Sequence, residues 1–257
     1  MNPTQVLVTG ATGRTGAILW RQLRQLEELF IPRGFARSEL KVKELFGTTQ
    51  GFCFGDVRDR ASLDRAIAGC QALVILTSAV PKMVAPPQPG ERPEFGFDPG
   101  GLPEEVDYIG QKNQIDAAKD AGVEHIVLVG SMGGTNVQHP LNQLGNGNIL
   151  IWKRKAEQYL MDSGIDYTII RAGGLLDQPG GLRDLLIGID DILLHDPPQG
   201  IPTSIPRADV AEVALQALRE PNARNTAFDL ISYPEGNGER AIATDFAALF
   251  AQAKALN

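Results

Sequence analysis

The sequence lacks three features that would place it in other classes of protein. Only two of its 257 residues are cysteine, Cys53 and Cys70, and they form no Cys-x-x-Cys pair. This usage favours small buried thiols in a reducing compartment over a disulfide framework. No run of eighteen apolar residues occurs, so no membrane span is predicted. Acidic residues outnumber basic ones by 31 to 24, giving a formal net charge of −7. Without a basic surplus to neutralise phosphates, nucleic acid is not expected as the main partner.

Two further absences concern location and metals. No signal-peptide pattern precedes the first predicted strand, which starts near residue 5, and we therefore expect a cytoplasmic protein. No grouping of ligand residue types indicates a metal site. The length suits one α/β domain covering residues 1–257. The oligomeric state and any protein partner are left open.

Glycines at a spacing of three follow the first apolar run of the chain. The run at residues 6–9 reads as a strand, and an apolar-periodic helix starts after the last glycine. Such a turn aims the first N–H groups of a helix at one point, which suits a pyrophosphate. The first glycine lets the chain turn, the second admits the ligand, and the third lets helix and strand pack. A βα turn without a ligand is the less favoured alternative. The predicted cofactor-binding residues of this turn are Gly10, Thr12, Gly13, Arg14, Thr15 and Gly16.

The rest of the chain alternates apolar runs with helical segments. Strands are predicted at residues 30–37, 51–57, 72–80, 125–131, 166–174 and 227–231, and helices at 38–45, 59–69, 103–122, 149–162, 208–220 and 244–256. This alternation predicts an α/β fold with a doubly wound, mostly parallel sheet and helices on both faces.

Two Pro- and Gly-bearing stretches interrupt the alternation, at residues 81–103 and 175–206. Both read as irregular insertions on the substrate side. The first follows a central strand, and we expect it to form a substrate wall or lid. A surface excursion is almost as well supported. Residues 132–148 read as a loop.

The ends of the second and third strands bear on the choice of cofactor. Arg37 and Ser38 follow the second strand, with no acid before Glu39. An arginine here accommodates the 2′-phosphate of NADP, whereas an acid would bind the ribose hydroxyl of NAD. Arg14 could share the same phosphate. Asp56, at the end of the third strand, could accept from the adenine amino group or cap the following helix, and the two interpretations weigh evenly.

Several motifs in a fixed order resemble one family. They are residues 9–16 (T-G-A-T-G-R-T-G), the strand-end Asp56, residues 77–79 (T-S-A), 129–131 (V-G-S), 153–157 (K-R-K-A-E) and 167–174 (Y-T-I-I-R-A-G-G). Together they resemble the NmrA-like, NAD(P)-binding group of atypical short-chain dehydrogenase/reductases, over nearly the whole chain. The resemblance implies a Rossmann fold and NADP(H) as cofactor. Beyond the glycine turn it implies cofactor contacts at Arg37, Ser38, Asp56, Val57, Thr77, Ser78, Ala79, Lys153, Ala172, Gly173 and Gly174. The last three are expected beside the nicotinamide amide, paired with it through backbone N–H and C=O groups.

The family's usual catalytic set is incomplete in this chain. Ser131 matches its serine and Lys153 its lysine, but Ile149 stands where the tyrosine would be. Isoleucine can neither donate nor accept a proton. Lys153 is expected to bind the nicotinamide ribose, and a surface pair with Glu157 is the alternative.

The missing tyrosine leaves two hypotheses about function. One is an NADPH-dependent oxidoreductase acting on a flavin, quinone or similar acceptor. The other is a non-catalytic NADP(H)-sensing regulator or assembly factor. Substitute proton donors are conceivable, although each is more easily explained as structural; they are Tyr108, His139 and His195.

Overall fold

The computed structural model describes residues 2–86, 93–236 and 245–256. Its strands are β1 Thr4–Thr9, β2 Phe30–Ala36, β3 Phe52–Phe54, β4 Ala72–Ile75, β5 Lys82–Met83, β6 Phe95–Gly96, β7 His125–Ser131, β8 Asp166–Ala172, β9 Gly174–Leu176, β10 Leu185–Gly188, β11 Ser204–Pro206 and β12 Thr226–Ser232. Its α-helices are α1 Arg14–Gln25, α2 Glu39–Phe46, α3 Arg60–Ile67, α4 Gly110–Asp120, α5 Pro140–Gln143, α6 Ile149–Met161, α7 Ile192–His195, α8 Arg207–Ala217 and α9 Phe246–Leu256. A π-helix, Glu104–Ile109, leads into α4, and 3-10 turns lie at Leu144–Asn146 and Pro221–Ala223.

Eight strands form the central sheet, in the order β10-β12-β8-β7-β4-β1-β2-β3. All neighbours pair in parallel except β10, which runs antiparallel to β12. The prediction of a doubly wound, mostly parallel sheet is confirmed. The chain moves outward from β1 through β2 to β3, then returns to the other side of β1 with β4. Ligands of open α/β sheets bind at this kind of reversal, outside the carboxyl ends of the strands.

The central strands are buried on both faces, and successive residues serve opposite cores. Val6 and Val8 of β1 belong to one apolar cluster, which α1, α8 and α9 complete. Leu7 belongs to a second cluster, which α3, α4 and α6 complete. This period of two explains why the runs at residues 6–9 and 72–75 are continuously apolar rather than alternating.

The two stretches expected to be irregular contain short strands. The segment 175–206 holds most of β9 together with β10, α7 and β11, and β10 adds an edge strand to the sheet. Within 81–103, β5 and β6 pair in an antiparallel ladder, while residues 87–92 lie outside the described chain. The loop expected at 132–148 contains α5 and a 3-10 turn. Elements of two to four residues have too few positions for a sequence period to reveal them. The predicted start of the last helix, Thr244, also lies outside the described residues.

The helix predicted over residues 103–122 forms as the π-helix followed by α4. Of the apolar side expected for it, Ile115 and Ala118 are buried, whereas Ile109 and Ala121 are exposed. The buried side includes the polar residues Asp107, Gln111 and Gln114. A helix that faces a polar cleft buries side chains that find partners there, and hydrophobic periodicity does not detect them.

Candidate active site

The turn between β1 and α1 has no room for side chains at two of its glycines. Gly10 has a φ of +69°, and a Cβ atom on it would lie 2.7 Å from the backbone carbonyl carbon of Leu76. A Cβ atom on Gly16 would lie 2.2 Å from the carbonyl oxygen of Gly10. The Gly13 N–H donates to the same oxygen at 2.8 Å. Side chains at positions 10 and 16 would therefore push apart β1, α1 and the end of β4.

Helix α1 starts directly after this turn and carries no side-chain cap. The first N–H groups of a helix have no partners within the helix, and the first turn of α1 contains no acid. Gly13 and Arg14 are exposed, whereas Thr15 is buried. An uncapped helix start lined by glycine suits a diphosphate group. The residues of the turn therefore fit a dinucleotide.

The other predicted site residues lie along the same edge of the sheet. Their positions follow strand ends: Arg37 and Ser38 after β2, Asp56 and Val57 after β3, Thr77, Ser78 and Ala79 after β4, Ser131 at the end of β7, and Ala172, Gly173 and Gly174 at the end of β8. The strands that precede them are parallel neighbours. Their carboxyl ends therefore meet at one edge, to either side of the glycine turn.

The side chains expected near a 2′-phosphate differ in how they are engaged. Arg37 is exposed, and no carboxylate in the described parts of the chain pairs with it. Ser38 caps α2, because its Oγ accepts from the Lys41 N–H at 3.2 Å. Arg14 donates to Asp177, in the segment after β9, at 2.8 Å. In the described residues the Arg37 guanidinium forms no hydrogen bond or ion pair, although its charge contributes to lowering the pKa of Asp56.

Asp56 is held by a residue two positions along the chain. The backbone N–H, Nε and Nη2 of Arg58 each donate to its carboxylate at 2.9 Å. Hydrogen bonds from the Arg58 side chain are the main reason why the pKa of Asp56 is lowered. The alternative that Asp56 caps the next helix is wrong, because Asp59 caps α3 by accepting from the Ala61 N–H. The adenine contact of Asp56 stays a prediction.

A buried glutamine ties the ends of β1 and β4 together. Gln114 of α4 accepts from Thr9 Oγ1 at 2.6 Å. Its amide nitrogen donates to Thr77 Oγ1 at 3.2 Å and to the Gly110 carbonyl at 2.9 Å. The predicted cofactor residue Thr77 is thus oriented by a residue that sequence reasoning did not select.

Lys153 forms a buried ion pair that its sequence neighbours do not suggest. Its Nζ donates to Asp107 Oδ1 at 2.6 Å, and the Ala79 N–H donates to Asp107 Oδ2 at 2.9 Å. The Asp107 side chain is 0% exposed and that of Lys153 is 10% exposed. The alternative of a surface pair between Lys153 and Glu157 is therefore wrong. Lys153 instead joins α6 to the segment that follows β4.

Ser131 and Ile149, compared above with the family's serine and tyrosine, lie at the ends of two elements. Ser131 ends β7, and its Oγ donates to the Met132 carbonyl at 3.1 Å. Ile149 is the first residue of α6, one helical turn before Lys153. An apolar side chain thus opens α6, and its correspondence to the family's tyrosine stays a prediction.

The substitute proton donors have local contacts of their own. The Tyr108 ring stacks on Trp152, with 5.5 Å between centroids. His139 caps α5, its Nδ1 accepting from the Leu141 N–H at 3.2 Å, and His195 is exposed at the end of α7. These contacts explain Tyr108 and His139 as structural residues, and proton donation by any of the three stays a prediction.

A second group of buried charges lies at the ends of β7, β8 and β12. Arg171 Nε donates to Glu157 Oε2 at 2.8 Å, and its Nη1 lies 3.9 Å from Asp229 Oδ1. Gly130 leaves room for this group, because a Cβ atom there would lie 2.7 Å from Glu157 Oε1. Within the described residues, Glu157 Oε1 and Asp229 Oδ1 have no hydrogen-bond partner. Burial raises the pKa of Asp229 to about 6.

Asp191 fixes the segment that follows β7. Its carboxylate accepts from the Gly133 N–H at 2.7 Å and from the Thr135 N–H and Oγ1 at 2.8 and 2.6 Å. Its own N–H donates to Asp229 Oδ2 at 2.7 Å. Asp190 and Asp191 have φ values of +53° and +60°, a region that costs energy for residues other than glycine. Strained backbone is thus maintained next to the predicted active site.

The backbone donors expected to meet the nicotinamide amide are already engaged. The Gly173 N–H donates to the Leu230 carbonyl, and the Gly174 N–H donates to the Thr203 carbonyl, both at 2.9 Å. These two N–H groups are therefore not free to pair with a ligand, and that part of the prediction is wrong. The location of both glycines at the end of β8 agrees with the prediction.

Sequence reasoning missed the acids and amides that organise the site. Asp107, Gln111 and Gln114 form a polar stripe at helical spacing, and this stripe was the signal that could have found them. For Asp191 the local sequence offered no signal, because its bonds to Gly133 and Thr135 span more than fifty residues.

Two kinds of feature are absent from the described residues. None of the helices described combines the length and the apolar character required to cross a membrane. Among the same residues, no group of three or more His, Cys, Asp or Glu side chains is placed to hold a metal ion.

Comparison with known proteins gives relatives along nearly the whole chain. The chain is 58% identical to the uncharacterised protein At2g37660, chloroplastic, of Arabidopsis thaliana over 252 residues, which cover 97% of this chain and 75% of that protein. It is 49% identical to sanguinarine reductase of Eschscholzia californica over 269 residues, with coverage of 96% and 95%. Among solved structures, a putative NAD-dependent epimerase/dehydratase from Bacillus halodurans shares the fold. It has a TM-score of 0.71 at 22% identity, covering 97% of this chain and 99% of that one.

These comparisons correct the expected location and confirm the expected family. The expected cytoplasmic location is wrong, because At2g37660 is a chloroplastic protein. The model of the NAD(P)H-binding family matches residues 10–221, a range that runs from the glycine turn past Lys153 and the end of β8. The fold, the glycine-lined start of α1 and this match agree, and the chain belongs to the NAD(P)H-binding family.

Proposed function

We propose that the protein is an NADPH-dependent oxidoreductase. The observation that carries the proposal is the arrangement of two features at one edge of the sheet. One is the uncapped, glycine-lined start of α1, and the other is the ammonium group of Lys153, tied through Asp107 to Ala79 after β4. The first suits a diphosphate, and the second provides donors for a ribose. The near full-length similarity to sanguinarine reductase supports a reductase.

The class of acceptor is proposed from the side chain of Ile149. Bound nicotinamide would supply a hydride to the acceptor. Reduction of a ketone also needs a proton at the carbonyl oxygen, and Ile149 carries none. Ser131 and Lys153 can still orient an acceptor through hydrogen bonds. Flavins and quinones can accept a hydride without a positioned acid, and we propose one of these or a similar acceptor as substrate.

The preference for NADPH over NADH is proposed from Arg37. A 2′-phosphate can engage its guanidinium through two parallel hydrogen bonds, whereas NADH offers only a hydroxyl. A hydrogen bond to a charged group is worth roughly 1.5–3 kcal/mol. Arg37→Ala should therefore weaken NADPH binding by ~10–100-fold and leave NADH binding nearly unchanged. Calorimetric titration tests this, with Arg65→Ala, an exposed arginine on α3, as the matched control.

Two results of that titration would contradict the proposal. Equal losses for both cofactors would show that Arg37 is structural. Tighter binding of NADH than of NADPH by the wild-type protein would show that the cofactor is NAD.

The activity is tested by NADPH oxidation with a panel of flavins, quinones, small carbonyl compounds and sanguinarine. Turnover is expected with at least one flavin, quinone or sanguinarine. Plain ketones should react negligibly, because the missing general acid contributes typically ~10²–10⁴-fold. Robust turnover of plain ketones would contradict the proposed acceptor class. Tight NADPH binding without turnover of any acceptor would instead favour a non-catalytic NADP(H)-sensing regulator or assembly factor.

A further inference from the structure

We propose that Asp107 is a positioning residue for the nicotinamide-ribose half of the cofactor, acting through Lys153 and Ala79. The inference rests on the proposed function, because it assumes that the cleft binds NADP(H). Asp107 itself is fully buried. Its role is therefore to hold the groups that meet the ligand and not to touch the ligand.

Both carboxylate oxygens of Asp107 are used, and each fixes a different element. Oδ1 accepts from Lys153 Nζ at 2.6 Å, which anchors α6. Oδ2 accepts from the Ala79 N–H at 2.9 Å, which anchors the segment after β4. One carboxylate thus sets the distance between a charged donor and a strand end on the same side of the cleft.

An aromatic contact beside the ion pair holds the same two helices in register. Tyr108 follows Asp107 and Trp152 precedes Lys153, and their rings stack with 5.5 Å between centroids. On the opposite side, a Cβ atom on Gly110 would lie 2.8 Å from Val57 Cγ2, so the start of α4 packs tightly on the segment after β3. The carboxylate of Asp107 therefore sits on a backbone with little freedom to move.

Asp107 uses only part of the donor capacity of Lys153. An ammonium group has three N–H donors, and Asp107 is the acceptor recorded for one of them. The other donors remain for ribose hydroxyl groups.

The strand order restricts this effect to one half of the cofactor. Ala79 follows β4, on the side of β1 that leads to β7 and β8, whereas Arg37 follows β2 on the other side. A dinucleotide with its diphosphate at α1 would extend one half to each side. The adenosine half would meet Arg37, and the nicotinamide half would meet the groups that Asp107 holds.

The experiment compares two ligands that share only the adenosine half. NADPH and 2′,5′-ADP, which lacks the nicotinamide ribose, are titrated calorimetrically into the wild-type protein and Asp107→Asn. The asparagine keeps an acceptor for the Ala79 N–H but removes the negative charge that Asp107 presents to Lys153. We expect NADPH binding to weaken by about 10-fold or more, since a charge-assisted bond is lost, and 2′,5′-ADP binding to stay unchanged.

A double-mutant cycle separates positioning from general structural support. If Asp107 acts through Lys153, Asp107→Asn should weaken NADPH binding far less in a Lys153→Met background than in the wild-type background. The matched control is Asp116→Asn, because Asp116 of α4 also bonds to α6, accepting from the Tyr159 hydroxyl at 2.7 Å. This control should change neither affinity.

Three outcomes would overturn the inference, and one of them also concerns the proposed function. Equal weakening of NADPH and 2′,5′-ADP binding would show that Asp107 only supports the fold. Unchanged NADPH affinity would show that Asp107 does not position Lys153. Failure of the wild-type protein to bind either ligand would overturn the proposed function and the inference with it. If Asp107→Asn does not fold, Asp107→Glu replaces it, because it keeps the charge but shifts the carboxylate by one methylene. This variant should also bind NADPH more weakly relative to 2′,5′-ADP than the wild-type protein does.

Discussion

The two edges of the sheet differ in how buried polar groups are hydrogen-bonded. At the amino edge, the buried side chain of His125 on β7 has a hydrogen-bond partner. At the carboxyl edge, buried charged groups keep atoms without one in the described residues. His125 Nε2 lies 2.9 Å from Thr168 Oγ1, and that hydroxyl donates to the Ala223 carbonyl at 2.7 Å. Because the hydroxyl proton is used on Ala223, the proton of the bond to His125 is assigned to Nε2. Burial lowers the pKa of His125 to about 4, so this neutral form persists at neutral pH.

Five residues along the neighbouring strand β8, buried charges at the carboxyl edge keep unmatched atoms. Arg171 faces both Glu157 and Asp229, and one oxygen of each acid lacks a hydrogen-bond partner within the described residues. Unmatched buried acceptors lower stability. An arrangement that violates local rules at one edge, while the opposite edge obeys them, is typical of a functional site. The difference supports a functional site at the carboxyl edge independently of any motif.

The two edges should differ most in how much stability is lost when a charge is removed near each end of β8. Arg171→Met leaves Asp229 buried without its nearest counter-ion and leaves Glu157 with Arg154 alone, at 3.1 Å. It should destabilise the protein by about 3 kcal/mol. Arg224→Met removes the partly exposed partner of Asp166, the first residue of β8, and it should cost at most about 1 kcal/mol. Urea unfolding of both variants measures the difference. Similar losses would refute the distinction between the two edges.

The two edges should also respond to acid with opposite signs. For His125 the folded pKa is about 4 and the unfolded value about 6.5. The unfolded chain therefore binds more protons between these values, and His125 costs stability as the pH falls from 6.5 to 4. For Asp229 the folded pKa is about 6 and the unfolded value about 3.9. The folded chain binds more protons there, and Asp229 adds stability as the pH falls from 6 to 4. Each effect is worth up to about 3 kcal/mol.

Variants at each edge isolate the two contributions. Relative to wild type, His125→Gln should gain stability on acidification from pH 6 to 4, and Asp229→Asn should lose it. Unfolding free energies from urea titrations at several pH values test both signs. A change of the same sign in both variants would show that burial does not set these pKa values.

At the carboxyl edge, substitutions at two glycines of the turn should separate the effect of packing on stability from the effect of ligand approach on NADPH binding. Gly16→Ala places a Cβ atom 2.2 Å from a backbone oxygen, and overpacking of this kind should cost about 1–3 kcal/mol. It should also abolish NADPH binding. Gly13→Ala meets the same oxygen at 3.0 Å, so it should disturb folding less while still weakening NADPH binding. Thermal unfolding and calorimetry on the pair measure both effects, and equal loss of stability would show that the turn does not distinguish these positions.

The smallest effect is expected at the exposed ion pair of Arg14 and Asp177. Both side chains are more than half exposed, while Arg207, the second partner of Asp177 at 2.9 Å, is largely buried. Asp177→Asn should therefore change the free energy of unfolding by about 1 kcal/mol. NADPH should bind slightly more tightly, by ~2–5-fold, because a negative charge near the start of α1 is removed. Asp64→Asn, at the exposed partner of Arg60 on α3, is the matched control for calorimetry. Weaker NADPH binding by Asp177→Asn would show that the bridge supports the bound cofactor.

Local signals in the sequence determined the fold and the edge on which the site lies. The run at residues 6–9, the three glycines and the alternation of strands with helices are each properties of neighbouring residues. Parallel strands then bring their carboxyl ends together, because the crossover helices return the chain to the same starting edge. For this reason Arg37, Thr77 and Ser131 lie at the carboxyl edge of the sheet, and their roles there stay predictions.

Tertiary structure alone decided which charged group Lys153 meets. Lys153 has Glu157 one helical turn away, yet its ammonium lies on Asp107, 46 residues earlier in the chain. Glu157 accepts from Arg171 of β8 as well as from Arg154 of its own helix. Spacing along a helix ranks only neighbours on that helix. Packing of α6 against the π-helix and β8 decides the rest, because a buried charge must find an opposite charge within a few ångströms wherever the fold brings one.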